Sequence, residues 1–587
     1  MRKESSILIV LEAKVHQVTH DNRPSIDFKS VLERYSVVSQ RDYQNASIKE
    51  AVEGINKGAD VIIDLPTGTG KTLIYAPIVA EVSENGMNAL VLTATKQAQR
   101  RVSSEIEKFQ KKSTPRLIYG VQEYRCPILN SNAQNWFCAE LKEEHCRTAN
   151  PDCEVIRSEQ EYSASNLVIT NFSKFLLAPA NRTYDLIVLD DSHSFENSME
   201  QAFQIDVQFA PVRNFYETGK LGTRLQNVLE TFLNLFSEIF ERCVNPQEKE
   251  GIIGAEYLTS IAGLVTDQNE SQLKQEIIAL SDPKRSMCWE IYYFIRRCKS
   301  ASKYRFYVRK DYYDPDDYDS SELISRRDDI LEFVISRRFD ESRVILVTAT
   351  PGDPKIHASS CTLRNYEKLE LKNVPPAGAA YDEIDNWFQR LGVLVVEDIG
   401  DTRQINSFEK AMALTTNILR SRKERALVLF KNYRDQRSAN SLLSKMFTPD
   451  QLYFIDVSLQ DGDTAEDYAS RSQISLASAS STLWEGINIK NLRLVIIVSP
   501  PFIRPHVGRR QEYPFFERKM LVRLQQGIGR IIRSTSDYGI AILTDDRFKK
   551  YVKKKMFNER LRERVEILEA KEVLSRIDHL MAQWSAS

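Results

Sequence analysis

Leu65-Pro66-Thr67-Gly68-Thr69-Gly70-Lys71-Thr72 follows the short apolar run Asp60–Asp64 and opens a segment of helical character. A strand, a glycine-rich turn and a helix start in that order make a phosphate-binding loop. The glycines let backbone N–H groups turn inward around phosphates, Lys71 brings a point charge to the outer phosphates, and the Thr72 hydroxyl can ligate Mg²⁺. The loop predicts a nucleotide-binding α/β fold, because such turns belong to strand–helix units of parallel sheets.

Outward from the loop, Asn88–Thr93, Leu167–Thr170 and Leu186–Leu189 read as further buried strands. A second set follows at Ala426–Phe430, Ile474–Ala477, Leu494–Val498 and Gly539–Leu543. Two sheets of similar build therefore bracket the chain. From Ser198 to Ser336 the pattern turns mostly helical, with apolar residues at helical spacing in Leu225–Phe240 and Ile291–Arg297, and reads as an insertion. The run Ile7–Leu11 continues into Glu12 and Lys14 and reads as a strand rather than a signal sequence.

A length of 587 residues predicts two to four domains. Apolar residues at 42% and charged residues at 27% are the composition of a soluble globular protein. A net charge of −1 removes global basicity as an argument for nucleic-acid binding, so such binding would need a local groove. Runs such as Leu494–Val498 are too short to cross a bilayer. The expectation is a cytoplasmic chain, or a nuclear one in a eukaryote, with reduced thiols and no membrane partner.

Three further elements carry chemistry. Asp190-Asp191-Ser192-His193 ends the strand Leu186–Leu189, where Asp190 would hold Mg²⁺ and Asp191 would polarise an attacking water; the bland alternative is a helix cap or surface turn. In Gln525-Gln526-Gly527-Ile528-Gly529-Arg530-Ile531-Ile532-Arg533, the two arginines would share a helix face and could reach a γ-phosphate across a cleft. Alone, that stretch is equally a solvated basic face. Cys126, Cys138, Cys146 and Cys153 lie between the loop and the acidic box at intervals of eleven, seven and six residues. Four thiolates suit a 4Fe–4S cluster, zinc is the competing metal, and no metal is the third reading. Cys243, Cys288, Cys298 and Cys361 stand alone and read as structural.

Taken together, these elements resemble the superfamily-2 helicases, and more narrowly the XPD/DinG family of iron–sulfur DNA helicases, from Arg41 to about Arg547. Arg41-Asp42-Tyr43-Gln44 resembles the family's R-x-x-Q element, Thr93–Gln99 resembles motif Ia, and Thr170-Asn171-Phe172 the element before the acidic box. Val347-Thr348-Ala349-Thr350-Pro351 is similar to motif III, Ala426–Tyr433 to motif IV, Leu483-Trp484-Glu485-Gly486-Ile487-Asn488 to motif V and Gln526–Arg533 to motif VI. Tyr119–Pro127 resembles the approach to the first cluster cysteine.

The resemblance implies two RecA-like parallel-sheet motor domains with an iron–sulfur insertion and a mostly helical, arch-like insertion. The expected boundaries are an N-terminal extension at 1–38, motor domain 1 at 39–119, 161–197 and 337–380, the iron–sulfur domain at 120–160, the arch at 198–336, and motor domain 2 with a C-terminal helix at 381–587. It implies ATP held by Arg41, Gln44, Thr67, Gly68, Thr69, Gly70, Lys71, Thr72 and Gln526, with Arg41 and Gln44 helping to read adenine. Mg²⁺ would sit on Thr72 and Asp190, and a 4Fe–4S cluster on the four clustered cysteines. Lys71, Asp190, Asp191, Arg530 and Arg533 would carry catalysis. The expected activity is ATP-driven movement 5′ to 3′ on single-stranded or forked DNA, in a context such as DNA repair and within a larger nucleoprotein complex where one exists.

Two departures bear on chemistry. Asp191 stands where the family has Glu, one methylene longer, and Asn488 stands where it has an acid. A reacting group displaced on the order of 1 Å costs about 100-fold in rate. An ATP-gated single-strand scaffold with weak turnover is therefore one rival, and an RNA helicase is another. Outside the motifs, Tyr304–Lys310 would place Arg305, Tyr307 and Arg309 on one strand face, either as a strand-binding platform or as an ordinary half-buried strand. The basic run Lys549–Lys555 reads as a solvated helix face before a nucleic-acid contact.

Overall fold

The computed structural model describes residues 8–11, 25–38, 41–65, 69–111, 114–126, 128, 131–133, 138, 153–177, 182–195, 198–199, 204–244, 250–281, 283–309, 321–327, 339, 342–348, 357–358, 361, 371–374, 389–454, 469–479, 484, 489–501, 513–532, 536–554, 557 and 559–585. The first motor sheet has eight strands in the order β14 (Leu371–Val374), β1 (Leu8–Leu11), β2 (Asp60–Asp64), β13 (Arg343–Thr348), β8 (Leu186–Leu189), β3 (Ala89–Thr93), β7 (Leu167–Asn171) and β4 (Arg116–Ile118). From β2 to β4 every pairing is parallel, whereas β1 runs antiparallel to both of its neighbours. The central strands are buried on both faces, which is why they read as unbroken apolar runs rather than alternating ones.

Helices α1 (Phe28–Tyr35), α2 (Asp42–Asn56), α3 (Lys71–Glu84) and α4 (Lys96–Glu107) pack against this sheet and one another. The segment expected as an N-terminal extension thus contributes a strand and a helix to the motor domain itself. Asp27 caps α1 by accepting from the amides of Lys29 and Ser30. Arg34 then fastens α1 to α3 through Glu81 at 2.6 Å and Glu84 at 2.9 Å, and donates to the Phe109 carbonyl at 3.0 Å.

The second motor sheet is parallel throughout, in the order β17 (Leu452–Phe454), β18 (Ile474–Ser478), β16 (Arg425–Phe430), β19 (Leu492–Ile497), β20 (Gly539–Leu543), β15 (Leu391–Val396) and β21 (Val565–Leu568). The run expected at Lys549–Lys555 falls on helix Arg547–Lys553, where Lys549 and Lys550 are paired with carboxylates. That pairing favours the solvated-face reading.

The insertion is helical over most of its length and also carries an antiparallel sheet ordered β10 (Glu250–Ile252), β11 (Tyr304–Arg309), β12 (Glu322–Arg327) and β9 (Ile205–Gln208). Only β11 was legible by alternation. On it Tyr307 is buried and Arg309 is ion-paired with Glu322, so the strand-binding platform read from the sequence is not formed there.

Between β4 and β7 a two-stranded hairpin, β5 (Arg125–Cys126) and β6 (Ser131–Asn132), and helix Glu154–Ala164 enclose a small apolar core of their own.

Candidate nucleotide and cysteine sites

Apart from Arg41–Gln44, which open α2, the first domain's motif residues leave from carboxyl ends of adjacent parallel strands, the edge at which open α/β sheets bind ligands. The phosphate loop follows β2, the acidic box follows β8 and motif III ends β13. Cross-strand backbone bonds hold these ends in register, with Leu65 N–H donating to Thr348 O at 3.2 Å and Asp190 N–H to Leu92 O at 2.8 Å.

Gly70 has φ +79°, a left-handed conformation that glycine adopts without strain, and it caps α3 so that Lys71 and Thr72 start the helix. Lys71 Nζ donates to the Leu65 carbonyl at 3.1 Å. Thr69 is fully buried, and its carbonyl accepts from Tyr43 Oη at 2.7 Å and from Gln44 Nε2 at 2.9 Å. Arg41 Nη1 donates to Tyr43 Oη at 2.9 Å. Thr67 and Gly68 lie outside the described residues.

Asp190 is buried, and Asp191 follows it in a left-handed turn with φ +54°, which an aspartate tolerates better than most side chains. Burial, reinforced by the Asp191 charge, raises the Asp190 carboxyl to about 7. Burial also pushes Asp191 upward, but the charges of His193, Lys71, Arg101 and Arg530 outweigh it and leave that carboxyl below its ordinary value. Tyr75, one turn beyond Thr72, is fully buried. Its phenol oxygen lies beside the Thr72 hydroxyl and the Asp190 carboxylate without a hydrogen bond of ordinary geometry. A buried carboxyl, its half-buried neighbour, a hydroxyl and a buried phenol form a hard oxygen-donor set, and Thr72 and Asp190 fit Mg²⁺.

The second domain reaches this box directly. Gln526 Nε2 meets His193 Nε2, and His193 Nδ1 lies 3.4 Å from Thr348 Oγ1, which links motif VI to the acidic box and motif III. Arg530 is nearly buried and held on the Trp484 carbonyl of motif V by Nε at 3.1 Å and Nη2 at 3.0 Å, while its charge acts on Asp191. Arg533 lies outside the described residues. Sequence reasoning missed Tyr75, Arg101 and the buried His357, whose Nε2 lies 2.8 Å from Ser192 Oγ beneath the acidic box. None of the three belongs to a motif. Only their places one turn past Thr72, on the helix after motif Ia and downstream of motif III hinted at a role.

Cys126, Cys138 and Cys153 converge in the small core with Val121, Ala133 and Val155, whereas Cys146 lies outside the described residues. Among the described residues no three His, Cys, Asp or Glu side chains come close enough together to hold a metal. Thiols are the donor type of a thiolate-ligated cluster, and three of the four lie in this one core. Cys288, Cys298 and Cys361 are buried and Cys243 is half-buried. Among the described residues no helix is long and apolar enough to cross a membrane.

Residues 38–216 match the family described as type III restriction enzyme, res subunit, and residues 415–564 match the helicase C-terminal domain. A probable ATP-dependent helicase of Methanocaldococcus jannaschii, MJ0942, is 22% identical over 95% of this chain and all of its own length. The ATP-dependent DNA helicase YoaA of Escherichia coli is 26% identical over 26% of each chain. Among solved structures, an XPD helicase superimposes with a TM-score of 0.63 at 16% identity, covering 91% of this chain and all of that one. Xpd4 of S. tokodaii gives 0.52 at 12% identity, over 90% of this chain and all of its own. With two motor sheets, motif-bearing strand ends facing one cleft and both helicase-associated domains matched in order, the chain is similar to the superfamily-2 helicases and shares the fold of an XPD helicase.

Proposed function

We propose that this protein is an ATP-driven helicase that travels 5′ to 3′ on single-stranded or forked DNA and carries a 4Fe–4S cluster on Cys126, Cys138, Cys146 and Cys153. The observation that carries the motor reading is the line from Gln526 through His193 to Thr348, which joins the second domain to the acidic box and to motif III. In this reading Lys71 and the loop amides bind the triphosphate, with Thr72 and Asp190 positioned to hold Mg²⁺. When bound, that ion would offset the negative charge that develops on the phosphates. Asp191, kept ionised by the surrounding cations, orients the attacking water and receives its proton at a carboxylate oxygen. Arg530 supplies positive charge from the opposite wall, and Arg533 is assigned the same role. Loss of the γ-phosphate weakens the Gln526–His193 closure and lets the domains separate.

Support for enclosure of the strand comes from Ile278, which packs against both the cysteine core and the core of the arch-like insertion. The two insertions thus share an apolar contact.

The test is ATP hydrolysis with and without single-stranded DNA, alongside unwinding of a duplex carrying a 5′ tail. Stimulation by DNA and strand separation, both absent in Lys71→Ala, are expected. Protein that binds ATP and DNA but neither moves nor unwinds sinks the motor reading and favours an ATP-gated clamp. Competition between DNA and RNA strands distinguishes the RNA-helicase alternative. Anaerobically purified protein should be brown, with about four irons per chain, and a colourless zinc protein would refute the cluster.

A further inference from the structure

Between helix Ile405–Ser421, which follows β15, and helix Tyr433–Leu443, which follows β16, lies a cleft of about 440 Å³ that contains none of the motif residues. Its floor is Met412 and Ala439, both part of the domain's own core, and Phe408, Leu442 and Met446 form its walls. Leu442 is 40% exposed and Met446 39%, while Ile405, one turn before the lining Glu409, is 76% exposed. Six large apolar side chains stand exposed among the described residues, and three of them thus fall on or beside this one pair of helices. A contiguous apolar patch rimmed by polar residues marks a site of interaction, whereas scattered single residues need no explanation.

Thr416 lines the same cleft and is 8% exposed, yet its Oγ1 has no hydrogen-bond partner among the described residues and is out of reach of solvent. The neighbouring Thr415 shows the ordinary solution, donating from Oγ1 to the Ala411 carbonyl one turn back at 2.8 Å. A buried hydroxyl left unpaired is a cost that a polar atom of a bound partner removes. The rim of the cleft is basic. Helical spacing puts Arg420 one turn past Thr416, and Lys445 comes three residues after Leu442; both are exposed, and neither is ion-paired among the described residues. Arg434, one turn before the lining Ser438, adds a third positive charge, against the lining carboxylate of Glu409. The nearby Asp435 is already engaged by Lys431 at 3.4 Å.

Both walls are helices, so an added strand would find no sheet edge to pair with, and the lining holds one aromatic ring, Phe408, too few for a polyproline groove. We infer that the cleft is a docking site for an acidic, amphipathic helix of a partner protein. That helix lays its apolar side chains between Phe408, Met412, Leu442 and Met446, carries Asp or Glu opposite Arg420, Arg434 and Lys445, and offers a polar atom to Thr416 Oγ1. Apolar anchors supply the affinity, and the rim charges supply orientation and choice of partner. The cleft is separate from the nucleotide site, so the inference stands whether or not the chain hydrolyses ATP.

Fluorescence anisotropy of three labelled helical peptides tests it on the full chain. Each peptide presents leucine at positions i, i+4 and i+7, and its remaining positions are made acidic with Glu, neutral with Gln or basic with Lys. The Glu peptide should bind best, by about tenfold over the Lys peptide at low salt, and the gap should narrow as salt is raised. Ala413→Trp, at an exposed lining position, should fill the cleft and weaken the Glu peptide by more than about tenfold. It should leave the melting temperature within a few degrees of wild type and any ATP hydrolysis unchanged. Lys445→Glu keeps the cleft open and should remove most of the charge preference, a change that a fold defect would not produce. The inference is overturned if no peptide binds, if the Lys peptide binds as well as the Glu peptide, or if Ala413→Trp binds the Glu peptide as the wild type does. A dimer of the chain in sedimentation that Ala413→Trp abolishes would also overturn it, because the cleft would then receive a second copy.

Discussion

The two walls of the cleft are fastened in different ways. On the first, the phosphate loop is gripped by side chains from sequence far upstream, Tyr43 and Gln44, and these are braced by Tyr35 and the buried Arg34–Glu81–Glu84 group. On the second, Arg530 is held on the Trp484 backbone carbonyl within its own domain. Across the gap the Gln526–His193 contact is the described hydrogen bond between motif VI and the acidic box. The first wall is a braced platform, and the second meets it at the Gln526–His193 contact. That asymmetry suits an engine in which one wall holds nucleotide while the other swings.

The sharpest way to break the comparison is Lys71→Ala, expected to lower DNA-stimulated hydrolysis by on the order of 10³-fold with little loss of DNA affinity, read by steady-state ATPase and strand binding. Next is the brace. Glu81→Gln leaves Arg34 short of a buried partner and should cost about 3 kcal/mol of stability in denaturant unfolding. Burial would raise the Glu81 carboxyl, but Arg34, Ser30 and Asn85 overcome this and lower it below its ordinary value. A group lowered on folding stabilises above its unfolded value and loses that contribution as pH falls through the folded one. The gap between wild type and Glu81→Gln should therefore be full at neutral pH and close on acidification below the ordinary glutamate range.

Asp191→Glu lengthens the acid by one methylene, and a rate rise approaching 100-fold would mark the native box as a slow one. An unchanged or lower rate would show that the left-handed turn already places the shorter carboxylate well. Gln526→Ala should cost about tenfold in DNA-stimulated turnover while sparing the basal rate, because it cuts a contact between walls and none within the platform. The smallest effect is expected at Tyr75→Phe, about threefold in the Mg²⁺ concentration needed to stabilise nucleotide-bound protein in thermal melts.

Residues whose role is set by local spacing were legible from the sequence. The loop, the acidic box and motif VI each declare themselves within a few positions, and the β2, β8 and β20 bounds agree with the apolar runs. Residues whose role is set by tertiary placement were not. Tyr75 looks like one more apolar position on a helix buried nearly all round, and His357 bears no motif, yet the fold sets them beside Asp190 and Ser192. Ile7–Leu11 was readable as a strand, but its partners were not, because antiparallel pairing with β2 and β14 depends on chain far away in sequence. Aromatic–basic alternation at Tyr304–Lys310 gave the strand correctly but could not reveal that Tyr307 would be covered.

The place of β13 and β14 in the first sheet bears on how the protein is made. Both lie in sequence beyond the cysteine module and the whole arch-like insertion, while β13 sits at the sheet's centre between β2 and β8. A nascent chain therefore carries β2 and β8 with unpaired edges until the insertion has been synthesised, and such edges are templates for mispairing. The second sheet is drawn from one continuous stretch, 391–568, in which β15 likewise waits for β20 and β21 but no separate insertion intervenes. Slow, chaperone-dependent maturation should thus weigh most on the amino-terminal half, whose sheet waits for two insertions and which also holds the braced phosphate loop.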